Sequence, residues 1–187
     1  IGLNWLGDII MSIPAISAAA AAGEVHIVTR PHLADVYHLI GLPLQIHAVA
    51  TNAGPLDAFR QLQPLRKLKA DHTLVFPDSF RAACLAKLCN SRQITGFSAQ
   101  FRSLFLDRAV KKPDNFKVWH ESDLHFLLCR EAGVASGERP QLPHCGFADE
   151  VFNDIARRLE FDPEREFLVM APGAAFGAAK RWPPCKF

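Results

Sequence analysis

Near its start the chain combines an indole, a glycine and a carboxylate in the stretch NWLGDIIMSIPA. Gly7 permits a tight turn, and Asp8 then lies at or near the N-terminus of the following helix, where backbone N–H groups and the helix dipole favour negative charge. Either Ser12 caps a helix that begins just after it, or the helix begins at Asp8 and kinks at Pro14. Asp8 is therefore either an ordinary helix cap or an acidic group at a ligand site.

A second stretch, APGAAFGAAKRWPPCKF at the other end of the chain, has the composition of an anion site. Its small residues let backbone amides approach an anion closely, and Lys180 and Arg181 add charge-assisted contacts to phosphate oxygens. It is not a Walker A loop, because Gly173 and Lys180 are wrongly spaced, and no GxGxxG fingerprint follows a predicted strand. The pattern indicates a phosphate site, with an ordinary flexible connection as the alternative.

Two further stretches place polar and charged side chains in loops. In FPDSFR, Asp78 and Ser79 either cap the next helix or line a binding site. The stretch GFSAQFRSLFLDRAVKKPDNFKVWH interleaves aromatic residues with cations, which indicates either a surface for an acidic ligand or a solvated basic loop. Its cations are Arg102, Arg108, Lys111, Lys112 and Lys117.

The histidines and cysteines show no metal-binding spacing. There is no HExxH motif, and His120 and His125 are five residues apart, which is poor spacing for two ligands on one helical face. The five cysteines form no CxxC pair, and their odd number resists a closed disulfide framework. We therefore predict no metal site and reduced thiols, as in a cytosolic protein.

The elements that must position these residues follow from the pattern of short β-branched runs and longer helical segments. Strands are predicted at 1–3, as the tail of a first strand, and at 24–30, 44–50, 72–77 and 93–97. Helices are predicted at 32–40, at 56–70 with a break at Pro64, and at 80–90 and 120–133. This alternation implies a parallel sheet covered on both faces, a Rossmann-like doubly wound α/β domain. Ligands in such sheets bind at the carboxyl ends of the strands, so the site is expected in the loops 3–8, 77–81, 97–120 and 171–182.

A linker rich in Pro, Gly and polar residues, at 134–146, separates this domain from a new unit. An amphipathic helix at 148–161 leads into an apolar strand at 166–172. We therefore predict a first domain over residues 1–147 and the start of a second over 148–187. Because the chain begins with Ile rather than Met and RWPPCKF does not read as a natural stop, we expect a fragment of a longer protein.

Length and composition exclude several classes of protein. The chain has 187 residues, of which 49% are hydrophobic and 21% charged, and these ordinary values argue against disorder and against a nucleic-acid binder. The net charge of +2 selects no partner. The stretch IPAISAAAAAG is too short and too rich in alanine to span a bilayer, which needs roughly 20 apolar residues. Any membrane contact is therefore expected to be peripheral.

Taken in order, GLNWLGDIIMSIPAISA, FPDSFRAACLAKL, ITGF and PGAAFGAAKRWP resemble the ADP-heptose lipopolysaccharide heptosyltransferases, family nine of the glycosyltransferases. The first and last motifs most resemble the branch of the family that acts second on the inner core. The resemblance runs through most of the chain but covers only the N-terminal half of such an enzyme and the crossover into the other half. It implies the GT-B architecture, in which the first of two Rossmann-like domains receives the acceptor and the second holds most of the sugar nucleotide.

The resemblance also implies a mechanism and a set of site residues. Asp8 matches the family's proposed base, which takes the acceptor hydroxyl proton as that oxygen attacks the anomeric carbon. Lys180 matches a cation near the donor phosphates, helped by Arg181. Arg102 is our preferred contact for the acidic acceptor. Trp5 either offers a flat apolar face to a sugar ring or fills a gap beside the sheet. The other implied substrate contacts are Asn4, Gly7 and Ser79.

We therefore expect part of an inverting glycosyltransferase that moves heptose from ADP-L-glycero-D-manno-heptose to the inner core of lipopolysaccharide, the fragment alone being inactive. No cofactor is expected, and no metal, because nothing in the chain resembles a DxD motif. The implied setting is the cytoplasm of a Gram-negative cell, with peripheral contact at the inner face of the cytoplasmic membrane. The alternatives are a family member with another sugar or acceptor and a non-catalytic Rossmann-like module that binds an anionic glycolipid or a nucleotide.

Overall fold

The computed structural model describes residues 1–50, 54–99, 101–142, 149–170, 173, 181–183 and 185. The chain divides into two compact units, Ile1–Gly146 and Phe147–Phe187. None of the helices in these described ranges has the length and apolarity needed to cross a membrane.

The first unit is built on parallel strands. They are β1 (Val25–Thr29), β2 (Leu44–Ala48), β3 (His72–Val75), β4 (Gln93–Phe97) and β5 (Arg108–Val110). β1 pairs with β2, and β4 pairs with both β3 and β5, all in parallel. The predicted parallel α/β fold is therefore confirmed, and β5 is a strand that the sequence pattern did not indicate.

The first three residues lie between the two sets of strands. The Gly2 N–H donates to the carbonyl oxygen of Val28 at 2.9 Å, and the ammonium group of Ile1 donates to the carbonyl oxygen of Leu74 at 2.6 Å. A Cβ atom on Gly2 would lie 2.5 Å from the hydroxyl oxygen of Tyr37, so only glycine fits this approach. The predicted first strand is thus extended backbone that joins β1 to β3 without completing a strand of its own.

Helices cover both faces of the strands. In the first unit they are α1 (Leu6–Ala22), α2 (Ala34–His38), α3 (Pro55–Gln61), α4 (Gln63–Leu68), α5 (Phe80–Cys89) and α6 (Glu121–Glu131). α1 packs against α6 in a core that includes Ile9, Ile13 and Leu128. α5 packs against β3 and β4 in a second apolar cluster, separate from that core. The predicted break at Pro64 is confirmed, because the chain forms α3 and α4 where one helix would otherwise run.

The start of α1 differs from both predicted alternatives. The helix begins at Leu6, with Trp5 as its N-cap residue, and it continues through Pro14. Gly7 therefore lies in the first helical turn rather than in a tight turn before the helix, and its φ is not positive. Ser12 does not cap the helix; its buried hydroxyl donates to the carbonyl oxygen of Ile9 at 2.7 Å.

The second unit contains helix α7 (Asp149–Arg158), and one ring of this helix forms a cluster with two aromatic rings that follow it. Phe161 lies 5.1 Å from Phe167 and 6.0 Å from Phe152, measured between ring centroids. The strand predicted at 166–172 is wrong over 166–170, which form no strand, and residues 171–172 lie outside the described residues. The described part of this unit offers no second strand, so the backbone at 166–170 has no partner with which to form a ladder.

Candidate active site

A pocket of about 290 Å³ opens at the C-terminal ends of β3 and β4, beside the first turn of α1. This is the edge of a parallel sheet where ligands bind. A larger cavity, of about 430 Å³, is lined by residues along β1 and β3 and is the weaker candidate, because its lining includes none of the predicted site residues. The smaller pocket is lined by Leu3, Asn4, Trp5, Asp8, Phe76, Pro77, Asp78, Ser79, Phe97, Lys112, Glu121 and His125.

The start of α1 and the two residues before it supply three of the predicted site residues to this pocket. Asn4, Trp5 and Asp8 all line it, and Asp8 is half-buried as the third residue of the helix. The Trp5 side chain is 57% exposed and lines the pocket, so it does not fill a gap in the core. A Cβ atom on Gly7 would meet no atom within 4 Å, and the space beside this turn is therefore open.

The loop after β3 supplies Asp78 and Ser79. The Ser79 hydroxyl oxygen accepts a hydrogen bond from the Ala82 N–H at 3.2 Å and so caps α5, as one of the two sequence interpretations held. Ser79 also lines the pocket, and a hydroxyl that accepts a bond keeps its own proton to donate. Capping and ligand contact are therefore compatible roles for this residue.

Arg102 is fully buried and holds two loops together. Its Nε donates to the carbonyl oxygen of Phe97 at 2.6 Å, its Nη1 donates to the carbonyl oxygen of Pro77, and its Nη2 donates to Asp78 Oδ1 at 3.1 Å. Burial lowers the pKa of the guanidinium, and the Asp78 carboxylate opposes that shift. Arg102 does not line the pocket, so the structure gives it a supporting position beneath the site and not the predicted direct contact with an acceptor.

Lys112 is the cation that does line the pocket. Its Nζ donates to Asp78 Oδ2 at 2.7 Å and lies 5.1 Å and 5.3 Å from the ring centroids of Phe97 and Phe116. Two aromatic faces and a carboxylate thus fix the ammonium group in place. The sequence placed Lys112 within a basic stretch but gave no signal that singled it out from its neighbours.

Glu121 and His125 complete the pocket from α6. His125 is 3% exposed, its Nε2 lies 3.8 Å from Glu121 Oε1, and its ring meets that of Phe76 edge-on at 5.3 Å. Burial lowers the pKa of His125, an effect that Glu121 and Asp8 partly oppose. Sequence reasoning considered His125 only as a metal ligand and missed its place in the pocket.

The other predicted residues lie elsewhere. Arg108 pairs with Glu131 at 2.5 Å and Lys111 pairs with Asp114 at 3.0 Å, and neither cation lines the pocket. Lys180 lies outside the described residues, while Arg181 is exposed in the second unit. Within the described ranges, no three His, Cys, Asp or Glu side chains are grouped so as to hold a metal ion.

Chemically, the pocket combines a carboxylate at a helix N-terminus with an exposed indole, a hydroxyl and an anchored ammonium group. The Asp8 carboxylate can accept a proton, and aromatic faces with polar neighbours suit a sugar ring. Three carboxylates, on Asp8, Asp78 and Glu121, surround the space, but Asp78 is neutralised by its two cationic partners. The space next to Asp8 therefore suits a neutral, hydroxyl-rich group, while Lys112 offers positive charge to an acidic group bound in the same pocket.

Comparisons with known proteins find relatives among the heptosyltransferases. The sequence pattern of Glycosyltransferase family 9 (heptosyltransferase) matches residues 58–187. Lipopolysaccharide heptosyltransferase 2 of Salmonella typhimurium is 27% identical over 199 residues, a match that covers 98% of this chain and 56% of that protein. The chain thus spans about half the length of the curated relatives it matches.

Solved structures share the fold. The E. coli ADP-heptose lipopolysaccharide heptosyltransferase II matches with a TM-score of 0.77 at 21% identity, over 97% of this chain and 56% of that one. An E. coli heptosyltransferase with ADP-2-deoxy-2-fluoro heptose matches with a TM-score of 0.61 at 17% identity, over 74% of this chain and 49% of that one.

Proposed function

The chain belongs to glycosyltransferase family 9, the heptosyltransferases, and on that basis we propose that it forms the acceptor side of an enzyme that transfers heptose to the inner core of lipopolysaccharide. The donor is ADP-L-glycero-D-manno-heptose. Support for this donor comes from the solved E. coli heptosyltransferase whose ligand is an ADP-linked fluoro-heptose.

The observation that carries the proposal is the position of Asp8 in the first turn of α1, facing a pocket at the C-terminal edge of the sheet. Asp8 takes the proton of the acceptor hydroxyl, whose oxygen forms a bond to the anomeric carbon as the bond from that carbon to the ADP oxygen breaks. Attack from the side opposite the leaving group inverts the anomeric centre. Lys180 and Arg181 stabilise the charge that develops on the diphosphate.

The remaining pocket residues position the acceptor. Trp5 stacks on a sugar ring, while Asn4 and Ser79 offer hydrogen bonds to its hydroxyl groups. Lys112 is the cation that meets an acidic group of the acceptor. Arg102 acts through Asp78, which it holds against Lys112.

The two units have different roles in this proposal. Residues 1–147 form the acceptor-binding domain, and residues 148–187 begin the domain that binds most of the donor. The transfer needs no metal ion, and we expect EDTA to leave the rate unchanged. The enzyme works in the cytoplasm, in peripheral contact with the inner face of the cytoplasmic membrane that carries its acceptor.

The test is to incubate the full-length protein with ADP-heptose and a heptose-accepting lipid A core, and to measure ADP release together with the mass of the glycolipid. One added heptose per acceptor is the expected product. Asp8→Asn keeps the size of the side chain but removes its basicity, and we expect the rate to fall by about 10²–10⁴-fold.

Asp35→Asn is the matched control, because Asp35 is an exposed acidic residue in the first turn of another helix, α2. It should leave the rate unchanged. A protein that binds the acceptor but releases no ADP would instead be a non-catalytic glycolipid-binding module. Transfer that survives Asp8→Asn would remove Asp8 from the role of base.

A further inference from the structure

One short turn beside the pocket exposes two large apolar side chains. Phe101 is 91% exposed and Leu104 is 87% exposed, in and next to the 3₁₀ turn Arg102–Phe105. Phe101 is the residue before the turn and Leu104 lies within it, so one short segment carries both exposed side chains. We call this pair the apolar wedge.

The backbone presents the wedge at an energetic cost. Phe101 has φ 58° and ψ 6°, a left-handed conformation that is unfavourable for a residue with a bulky side chain. The next residue, Arg102, is fully buried. Its guanidinium donates hydrogen bonds to the carbonyl oxygens of Phe97 and Pro77 and to the carboxylate of Asp78. The buried hydrogen bonds of Arg102 therefore fix the backbone of the turn while Phe101 and Leu104 remain exposed. A fixed turn with exposed apolar side chains is suited to contact another surface.

The wedge is connected to the pocket through Arg102, and cations follow it in the sequence. The groups that Arg102 binds belong to Phe97, Pro77 and Asp78, all of which line the pocket. The segment that follows carries the exposed cations Arg108, Lys111 and Lys117. Arg108 and Lys111 form exposed ion pairs, which contribute little to stability.

We propose that Phe101 and Leu104 insert into the headgroup region of an anionic membrane beside the pocket, with the neighbouring cations contacting lipid phosphates. Exposed aromatic and aliphatic groups flanked by cations are the chemistry that binds such a surface. This inference rests on the proposed function, because a lipid-linked acceptor is what brings the pocket to a membrane. The wedge then sets the height of the pocket above the bilayer.

The first experiment measures binding of the full-length protein to vesicles of phosphatidylethanolamine that contain about a quarter phosphatidylglycerol, without any acceptor. The variant Phe101→Ser/Leu104→Ser should bind about tenfold more weakly or worse, because two apolar side chains no longer leave water. Phe101→Trp should bind at least as well as the original protein. Leu56→Ser is the matched control, since Leu56 is 75% exposed on α3 and should not affect binding.

A second measurement compares transfer to vesicle-embedded acceptor with transfer to a de-acylated, soluble acceptor. The double variant should lose rate only with the embedded acceptor. Vesicle binding that is equal for the original protein and the double variant would overturn the inference. A second result would also overturn it: the original protein does not bind acceptor-free vesicles, yet the double variant is slower with the embedded acceptor. The wedge would then bind the acyl chains of the acceptor and not the membrane. If the original protein transfers heptose to neither acceptor, the proposed function is wrong. The vesicle experiment would still show whether the wedge binds the membrane.

Discussion

At the scale of single residues, the site depends on a buried cation that does not itself line the pocket. Arg102 joins the ends of β3 and β4 through carbonyl oxygens of Pro77 and Phe97, and it holds Asp78, which in turn holds Lys112. Removing one partner of a buried charged network leaves the others without hydrogen bonds, and this usually costs more than the network itself contributes. Arg102 is therefore where stability and site geometry are most closely linked.

We expect Arg102→Ala to lower the free energy of unfolding by about 3 kcal/mol, because two buried carbonyl oxygens lose their donor and Asp78 loses a cation. Chemical denaturation monitored by circular dichroism measures this change. Arg108→Ala is the control, since its pair with Glu131 is exposed, and it should cost less than about 1 kcal/mol. Equal effects of the two substitutions would contradict the bracing role of Arg102.

At the scale of elements, strands β1 and β2 are joined by a pair of histidines as well as by their backbones. His26 Nδ1 and His47 Nε2 lie 2.9 Å apart, and their rings are stacked with centroids 5.2 Å apart. One nitrogen must donate and the other accept, so the bond requires a neutral ring on the accepting side. Burial, and then the neighbouring His26, lower the pKa of His47 below its ordinary value of 6.5.

Because the folded protein binds this proton less readily than the unfolded chain, the contribution of His47 to stability is fully present above pH 6.5 and is lost as the pH falls below it. We expect the Tm to decrease as the pH falls from about 8 to about 5. In the His47→Gln variant the Tm should decrease less over the same range. Burial lowers the pKa of His125 as well, so some dependence should remain. Gln45→Ala, on the same strand, should keep the full slope, and an unchanged slope in His47→Gln would refute the assignment.

The start of α1 offers a second prediction at this scale. Gly7 has an ordinary helical backbone, and nothing lies within 4 Å of the place where a Cβ atom would be. Gly7→Ala should therefore stabilise the protein by about 0.5 kcal/mol, since alanine favours a helix. It should nevertheless lower the transfer rate of the full-length protein, because the added methyl group enters the open space next to Asp8, where we propose that the acceptor binds. Higher stability with full activity would show that Gly7 does not shape the substrate site.

At the scale of the whole molecule, the chain contains one compact Rossmann-like unit and a smaller second unit, and it spans about half the length of its curated relatives. In the proposed function the pocket of the first unit supplies the base and the acceptor contacts, whereas the predicted donor contacts lie in the second unit. The roles of Asp8 and Lys180 should therefore separate in binding measurements.

We expect Lys180→Ala to weaken ADP binding by the full-length protein roughly tenfold, because a charge-assisted bond to the diphosphate is lost. Isothermal titration calorimetry measures the affinity. Asp8→Asn should leave it unchanged, and so should Lys117→Ala, which removes an exposed cation from the first unit. An affinity that Lys180→Ala does not alter would count against the diphosphate contact.

Much of the fold could be predicted because its signals are local. The strand at 93–97 and the helix at 80–90 are found within one residue of their predicted bounds, since β-branched runs and helical periodicity act over a few residues. β5 was missed because three residues are too few for such a pattern, and it exists through pairing with Thr95–Phe97. The strand at 166–170 failed for the converse reason, since an apolar run becomes a strand only beside a partner.

The sequence by itself determined the parallel α/β fold, the family and the motif that brings Asn4, Trp5 and Asp8 to the carboxyl edge of the sheet, because these depend on local pattern and on motifs in order. Only the tertiary structure decided that Arg102 is buried while Lys112 faces the pocket. Only the tertiary structure also showed that His125 and Glu121 line the pocket, because their helix is more than a hundred residues away from Asp8 in the sequence. Neighbouring cations in one basic stretch look alike in sequence, and only the three-dimensional packing assigns one to the interior and another to the site.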